Sequence, residues 1–263
     1  MSTIEKEKTM IFDSHAHYDD TQFNEDREVV LKEVKEKGVI GILNCGSDLR
    51  GMEMSVELAN KYDFIYAAVG IHPEYANVVD KKVIERIKEL TKNNKVRAIG
   101  EIGLDYYWEE NPPREMQQKA FRMQMDLAKE LRLPVIIHDR EAHKDTLDIM
   151  KEYSDVTGVV HCFSGSVEFA KECLKLGYYI GITGVVTFKN AKVIKEVAKE
   201  VPLDRLLVET DCPYMAPTPF RGKRNQSDYV QFIIEEIANI RGITKEEVEE
   251  ATINNIKNLL NLK

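Results

Sequence analysis

No stretch of this sequence carries the roughly 20 consecutive apolar residues that a membrane-spanning helix requires. Its first residues, Met1 to Lys8, are polar and charged where a secretory signal would be apolar. A soluble, cytoplasmic protein is expected, with no membrane and no protein partner implied. Cysteine is scarce too. Cys45, Cys162, Cys173 and Cys212 are widely separated and contain no C-x-x-C pair, which argues against both a Cys-type zinc site and a disulfide framework. Excess positive charge is also missing: 37 Lys and Arg stand against 45 Asp and Glu, a net charge of −8. A protein that coats nucleic acid regardless of sequence is basic overall, because neutralising phosphate supplies its affinity. A polyanionic substrate therefore suits this chain only if positive charge is gathered locally. No low-complexity linker divides the 263 residues into two domains. That length matches the roughly 250 residues of a single (β/α)8 barrel.

What the sequence does contain is a repeated alternation. Short apolar runs occur at Met10–Phe12, Gly38–Leu43, Phe64–Gly70, Val96–Gly100, Pro134–Ile137, Gly158–Val160, Tyr178–Ile182 and Arg205–Val208. Runs so short and β-branched read as strands buried on both faces, as in a parallel sheet. Helical spacing lies between them: Val30, Leu31 and Val34; Phe121, Met125 and Ala128 within Glu115–Leu131; Val193, Ile194 and Val197 within Val193–Val201. Thr244 and Glu247 have the spacing of a capping box. Eight strand–helix alternations predict an α/β fold, a single-domain (β/α)8 TIM barrel over residues 10–263, behind a polar tail at 1–9.

Polar residues fall where this architecture places active sites. His15 and His17 follow the first run, His72 the third, Glu101 the fourth, His138 the fifth and His161 the sixth; Glu209 and Asp211 follow the eighth. All would share the rim formed by the strands' C-terminal ends. Five of the six histidines are in this set. His15 and His17, two apart on a strand, would project from one face, a face that Asp13 shares. Singly, each is as well explained as a hydrogen-bonded core residue. Together they form an imidazole–carboxylate cluster with no compensating Lys or Arg at the strand ends, and buried carboxylates need a partner. A divalent cation is the expected partner. Asp13 and Asp105 are placed to orient ligands, Asp105 being equally suited to capping a loop. His143, in the helical stretch Glu141–Glu152, reads as a solvated helix residue.

Seven segments carry a family resemblance: Phe12–His17, Gly70–Pro73, Ala98–Tyr106, Pro134–His138, His161–Gly165, Glu209–Tyr214 and Phe220–Asn225. In them, and across about Met10 to Leu262, the chain resembles the TatD family of deoxyribonucleases, among the amidohydrolase-like metal-dependent hydrolases. The resemblance implies two divalent ions, one among His15, His17, Glu101 and Asp211, the other among Glu101, His138 and His161, with Glu101 as the bridge. Zn, Mn, Co, Ni and Mg are the candidates, and an imidazole-rich set favours the first four. The expected catalytic groups are Asp211, Glu101, His72 and Glu209, with Asp211 relaying the proton of water and His72 meeting a phosphate oxygen or the leaving group. DNA or an oligonucleotide is the implied substrate, cut at single strands or frayed ends. Arg221, Lys223 and Arg224, with Arg140 nearby, supply the local positive charge it needs. Tyr106, Tyr107 and Trp108 are placed to stack a base. One departure is visible: the family usually has Glu-Pro where this chain has Gln226-Ser227, a change expected to touch substrate preference alone. A barrel of this kind could instead open a cyclic amide, lactone or small ester, or serve as a metal-stabilised binding protein without turnover.

Overall fold

Each apolar run is bordered by a helix whose apolar face needs cover, and the arrangement that covers all of them is a closed sheet ringed by helices. A computed structural model describes residues 10–263 in this arrangement; the tail expected at residues 1–9 lies outside the described residues. The strands are β1 (Ile11–Ala16), β2 (Val39–Cys45), β3 (Ile65–Val69), β4 (Val96–Asp105), β5 (Val135–Arg140), β6 (Gly158–Val160), β7 (Tyr179–Ile182) and β8 (Leu206–Val208). They lie in sequence order in one sheet with every neighbouring pair parallel. Around them run α1 (Arg27–Glu36), α2 (Leu49–Lys61), α3 (Lys81–Leu90), α4 (Arg114–Leu131), α5 (His143–Glu152), α6 (Val167–Lys175), α7 (Lys192–Glu200) and α8 (Val230–Arg241). This is the expected (β/α)8 TIM barrel. Among the described residues no helix is long and apolar enough to cross a membrane.

Two strands outrun their apolar runs. β4 continues five residues beyond Gly100, and β5 continues through His138 to Arg140, because the two pair as Ile102↔Ile137, Gly103↔His138, Leu104↔Asp139 and Asp105↔Arg140. Glu101 and His138 are therefore held inside a ladder. β1 pairs with β2 through a register shift between Asp13 and Ala16, which breaks the strict alternation expected along Asp13, His15 and His17.

The barrel interior is packed by one or two apolar side chains from every strand: Phe12, Leu43, Cys45, Ala68, Ala98, Ile136, Val159, Tyr179 and Leu207. An additional helix, α9 (Lys245–Leu259), adds Ile253, Ile256 and Leu259 to the same cluster and so closes the end opposite the rim. Its start carries the expected capping box, with Thr244 and Glu247 bonding each other's backbone. Asn255, buried on α9, donates from Nδ2 to the carbonyls of Leu203 (2.9 Å) and Leu206 (2.8 Å), fixing the helix to the entry of β8.

Closure between β1 and β8 is made by few groups. The Asp211 N–H donates to the His15 carbonyl (2.9 Å) and the His17 N–H to the Cys212 carbonyl (2.8 Å). Side chains complete the seam. Ser14 Oγ donates to the Val208 carbonyl (3.0 Å), and Asp13 accepts from the Thr210 N–H (2.9 Å) and hydroxyl (2.6 Å).

Replacing Asn255 with Ala leaves two buried carbonyls without their donor, which costs about 1–3 kcal/mol of stability. The urea midpoint of Asn255→Ala should fall accordingly, while hydrolytic turnover at 25 °C is retained. An unchanged midpoint would show that α9 is not held to β8 through this side chain.

Candidate metal centre

At the C-terminal end of the barrel, six side chains from five strand ends converge. His15 lies on β1 and His17 one residue beyond it; Glu101 is on β4, His138 on β5, and His161 and Asp211 follow β6 and β8. His15, Glu101 and His161 are buried, as is His17 apart from its edge, and Asp211 is part-buried.

The spacing tests whether these groups suit a cation. Donors in tetrahedral array around an ion with bonds of about 2.0–2.1 Å stand about 3.3–3.4 Å apart. His15 Nε2 lies 3.0 Å from His17 Nε2, 3.4 Å from Glu101 Oε2 and 3.5 Å from Asp211 Oδ1. His17 Nε2 is 3.5 Å from Glu101 Oε2 and 3.2 Å from Asp211 Oδ1. A second group surrounds the other oxygen of the same carboxylate. Glu101 Oε1 is 2.8 Å from His138 Nδ1 and 2.7 Å from His161 Nε2, and those two nitrogens are 3.2 Å apart. The first group fits a divalent cation in number and spacing, while the second offers the right donor types drawn in to hydrogen-bonding distance of Glu101 Oε1. Glu101 presents one oxygen to each group.

Neighbouring groups fix the ring orientations. His17 Nδ1 donates to the Cys45 carbonyl (2.8 Å), which leaves Nε2 for the cluster. His138 Nε2 faces Asp105 Oδ2 at 3.1 Å, leaving Nδ1. Asp105 thus fixes the His138 ring, and its Oδ1 also accepts from the Tyr107 N–H (3.0 Å). Partner carboxylates behind ligating imidazoles set tautomer and basicity in this way.

Charge is redistributed by burial and by these partners. Burial alone would raise Glu101, but His161, His72 and hydrogen bonds from His138 and His15 hold it well below the usual carboxylate range. Burial would also lower His17 and His138. Asp211 and Glu101 instead push His17 up to about 10, and Asp105 and Glu101 push His138 up to about 9. His15, desolvated and facing His161, drops to about 4. Without a cation, then, the cluster neutralises its carboxylates with imidazolium protons.

His72 stands beside the second group, its Nε2 3.6 Å from Glu101 Oε1. Its Nδ1 accepts from the Glu74 N–H (3.2 Å), so a neutral ring carries its proton on Nε2, facing the site. Burial and His138 lower its pKa to about 3. Glu209 lies deeper. It is fully buried, accepts from the Cys162 N–H and from Ser14 Oγ (3.1 Å), and stands 3.7 Å from His161 Nδ1. Burial pushes it up to about 7. From there it backs His161 and is screened from anything bound at the rim. A Cβ at Gly181 would fall 2.6 Å from its Oε2, so only glycine leaves room for this carboxylate.

Asp13 does not join the ligands. Besides Thr210 it accepts from Ser227 Oγ (2.6 Å), and the Ser227 N–H donates to the Tyr18 hydroxyl (2.9 Å). A proline at 227 offers neither donor. The departure at Gln226-Ser227 therefore bears on the β1–β8 seam, a structural consequence that its expected link to substrate preference alone overlooks. His143, outside the cluster and half-exposed, bonds Asp139. The basic residues divide. Arg221 and Lys223 are exposed on the loop after β8, with the Arg221 guanidinium 4.4 Å over the Phe188 ring. Arg224 is closed on Asp26 by two bonds (2.9 and 2.5 Å) and on the Gln22 carbonyl (2.6 Å). Arg140 sits over Tyr107 and Trp108.

Comparison with known proteins identifies the family. The profile of the TatD related DNase family matches residues 12–261. The metal-dependent hydrolase YabD of Bacillus subtilis is 46% identical over 255 residues, covering 96% of this chain and 100% of its own length. The 3'-5' ssDNA/RNA exonuclease TatD of Erwinia tasmaniensis is 34% identical, over 96% and 100%. The crystal structure of YJJV, a TatD homologue of Escherichia coli, superposes with a TM-score of 0.90 at 32% identity, over 96% of this chain and 98% of that one.

Because His17 and His138 titrate near 10 and 9, both hold protons at pH 7 on the nitrogens that face the cluster. A cation must displace them, so loading metal-free protein at pH 7 should release roughly two protons, and affinity should rise with pH through neutrality. Calorimetry in buffers of different ionisation enthalpy measures the number. Metal binding with no proton release would overturn this assignment of the ligand nitrogens.

Proposed function

The chain belongs to the TatD family of metal-dependent hydrolases, and on that premise we propose that it cleaves the phosphodiester bonds of DNA, at the ends of single strands or frayed duplexes, using two divalent ions. The observation that carries this reading is the Glu101 carboxylate, with Oε2 among His15, His17 and Asp211 and Oε1 among His138 and His161. His15, His17, Glu101 and Asp211 would hold one ion; Glu101, His138 and His161 would hold the other. Such a pair supplies Lewis acidity toward the scissile bond and a nucleophilic water at neutral pH. Zn, Mn, Co or Ni suits the imidazole-rich donors better than Mg.

The protein's own groups do the rest. Asp211 Oδ1 faces His15 and His17, while Oδ2 takes no hydrogen bond from the described residues. That oxygen is available to accept and relay the proton of the attacking water. His72, neutral because of its burial, presents Nε2–H and can donate to a phosphoryl oxygen as charge builds there. A ring that is neutral near pH 7 is a hydrogen-bond donor and a poor source of a full proton. Glu209, fully buried and 3.7 Å from His161 Nδ1, adds negative charge behind that ring and does not meet substrate. The phosphate chain falls to Arg221 and Lys223, since the Arg224 fork is occupied by Asp26. The name of the Erwinia relative supports a single-stranded substrate.

Elemental analysis of purified protein together with a hydrolysis panel of oligonucleotides, lactones and cyclic amides tests the proposal. Oligonucleotide cleavage should be lost on chelation and restored by divalent metal. Full activity at zero metal content would sink the mechanism. Lactone or amide turnover with oligonucleotides untouched would establish the small-molecule alternative.

Phosphate capture by the loop after β8 has a separate signature. Arg221→Ala should weaken oligonucleotide binding across sequences and flatten its salt dependence by about one unit of log–log slope. An identical slope in wild type and Arg221→Ala would remove Arg221 from the phosphate path.

A further inference from the structure

Of all aromatic side chains in the described residues, four are exposed: Tyr75 (36%), Tyr107 (52%), Trp108 (48%) and Tyr214 (50%). Exposed apolar residues scattered singly over a surface are ordinary. These four are not scattered. Tyr75 follows β3, Tyr107 and Trp108 follow β4, and Tyr214 follows β8, so every one is on the rim that carries the metal ligands.

Tyr107 and Trp108 form a pair, with ring centroids 4.8 Å apart at 89°. The Arg140 guanidinium lies 4.3 Å from the Tyr107 ring and 5.5 Å from that of Trp108. The loop beneath them is pinned throughout. Gln117 Nε2 donates to the carbonyls of Asp105 (2.9 Å) and Pro112 (2.8 Å), while its Oε1 accepts from the Asp105 N–H (2.9 Å). The Tyr106 N–H donates to the Arg140 carbonyl (2.9 Å), and the Asn111 N–H to that of Trp108 (3.3 Å). Tyr106 itself is committed, its hydroxyl on Asp145 and its ring under Arg114. Holding two large rings half in water on a rigid loop gains nothing for the fold, and a built loop on a barrel rim is where ligand contacts reside. The pair is also tied to the metal centre. One Asp105 oxygen faces the ligand His138 and the other holds the Tyr107 amide.

We propose that Tyr107 and Trp108, with Arg140, form a stacking subsite for an unpaired nucleobase next to the scissile phosphate, resting on the nuclease reading above. Aromatic faces accept any base, and the guanidinium answers the adjoining phosphate on an otherwise acidic protein. A base engaged in a duplex does not reach such a platform, so the subsite selects single strands and frayed ends by itself.

The chain contains one tryptophan, so its intrinsic fluorescence reports from this subsite alone. Metal-loaded protein is titrated with a ten-residue phosphorothioate oligothymidylate and with a phosphorothioate backbone of equal length that lacks bases, affinity being measured in parallel by anisotropy of end-labelled strands. Oligothymidylate should quench Trp108 and the base-free strand should not. Trp108→Ala should weaken oligothymidylate binding about tenfold with base-free binding unchanged, and Trp108→Phe should restore most of the loss. Equal affinity for both strands, unaltered in Trp108→Ala, would overturn the subsite while leaving the nuclease reading intact. If neither strand binds, the nuclease reading itself fails and the subsite with it.

Discussion

A single carboxylate, Glu101, has to remain ionised where almost no water reaches it, and most of the rim follows from that requirement. Desolvation of such a group costs several kcal/mol unless cations or hydrogen bonds replace the lost solvent. Five imidazoles, those of His15, His17, His72, His138 and His161, stand within 3.6 Å of its two oxygens on one side or the other. Three of them are oriented from behind by hydrogen bonds, His17 by the Cys45 carbonyl, His138 by Asp105 and His72 by the Glu74 amide, and behind His161 stands the Glu209 carboxylate, 3.7 Å away. The last of these needs Gly181, since any side chain there would displace the Glu209 carboxylate. Protons on His17 and His138 balance the charge until cations take their place.

The barrel makes this tolerable by separating two duties along each strand. Lower positions, such as Phe12, Ala98, Ile136, Val159 and Leu207, pack the interior and are sealed from beneath by α9. Upper positions carry the polar groups. A strand that is apolar below and ligating above needs no change of backbone to host chemistry, which is how TIM barrels support many reactions on one scaffold.

Much of this was legible in the sequence because the polar residues of the rim follow apolar runs. His15, His72, His138 and His161 mark the ends of four such runs, and the run itself identifies the strand. The extension of β4 and β5 was not legible, since Glu101 to Asp105 and His138 to Arg140 owe their strand conformation to each other's pairing and not to apolar character. Nor was the division among the basic residues. Arg221, Lys223 and Arg224 look alike in sequence, and only the approach of Asp26, 198 residues away along the chain, sets Arg224 apart. Glu209 reads as a rim carboxylate because it is two residues from Asp211, yet the chain leaves strand geometry after Val208 and Glu209 is fully buried on the Cys162 amide and Ser14, facing His161. Asp13, expected to orient ligands from behind, instead bonds Thr210 and Ser227 in the β1–β8 seam, and the register shift after it has no trace in residue type.

The seam between β1 and β8 joins the two ends of the barrel through the ligands' own backbone: Asp211 N–H on the His15 carbonyl, and His17 N–H on that of Cys212. A chain emerging from the ribosome exposes His15 and His17 first and Asp211 near the end. Until β8 arrives, the first two imidazoles have no carboxylate from the far side of the seam and no rung to fix them. An ion held by His15, His17 and Asp211 would therefore meet its full set of donors only once the first and last strands of the barrel are joined.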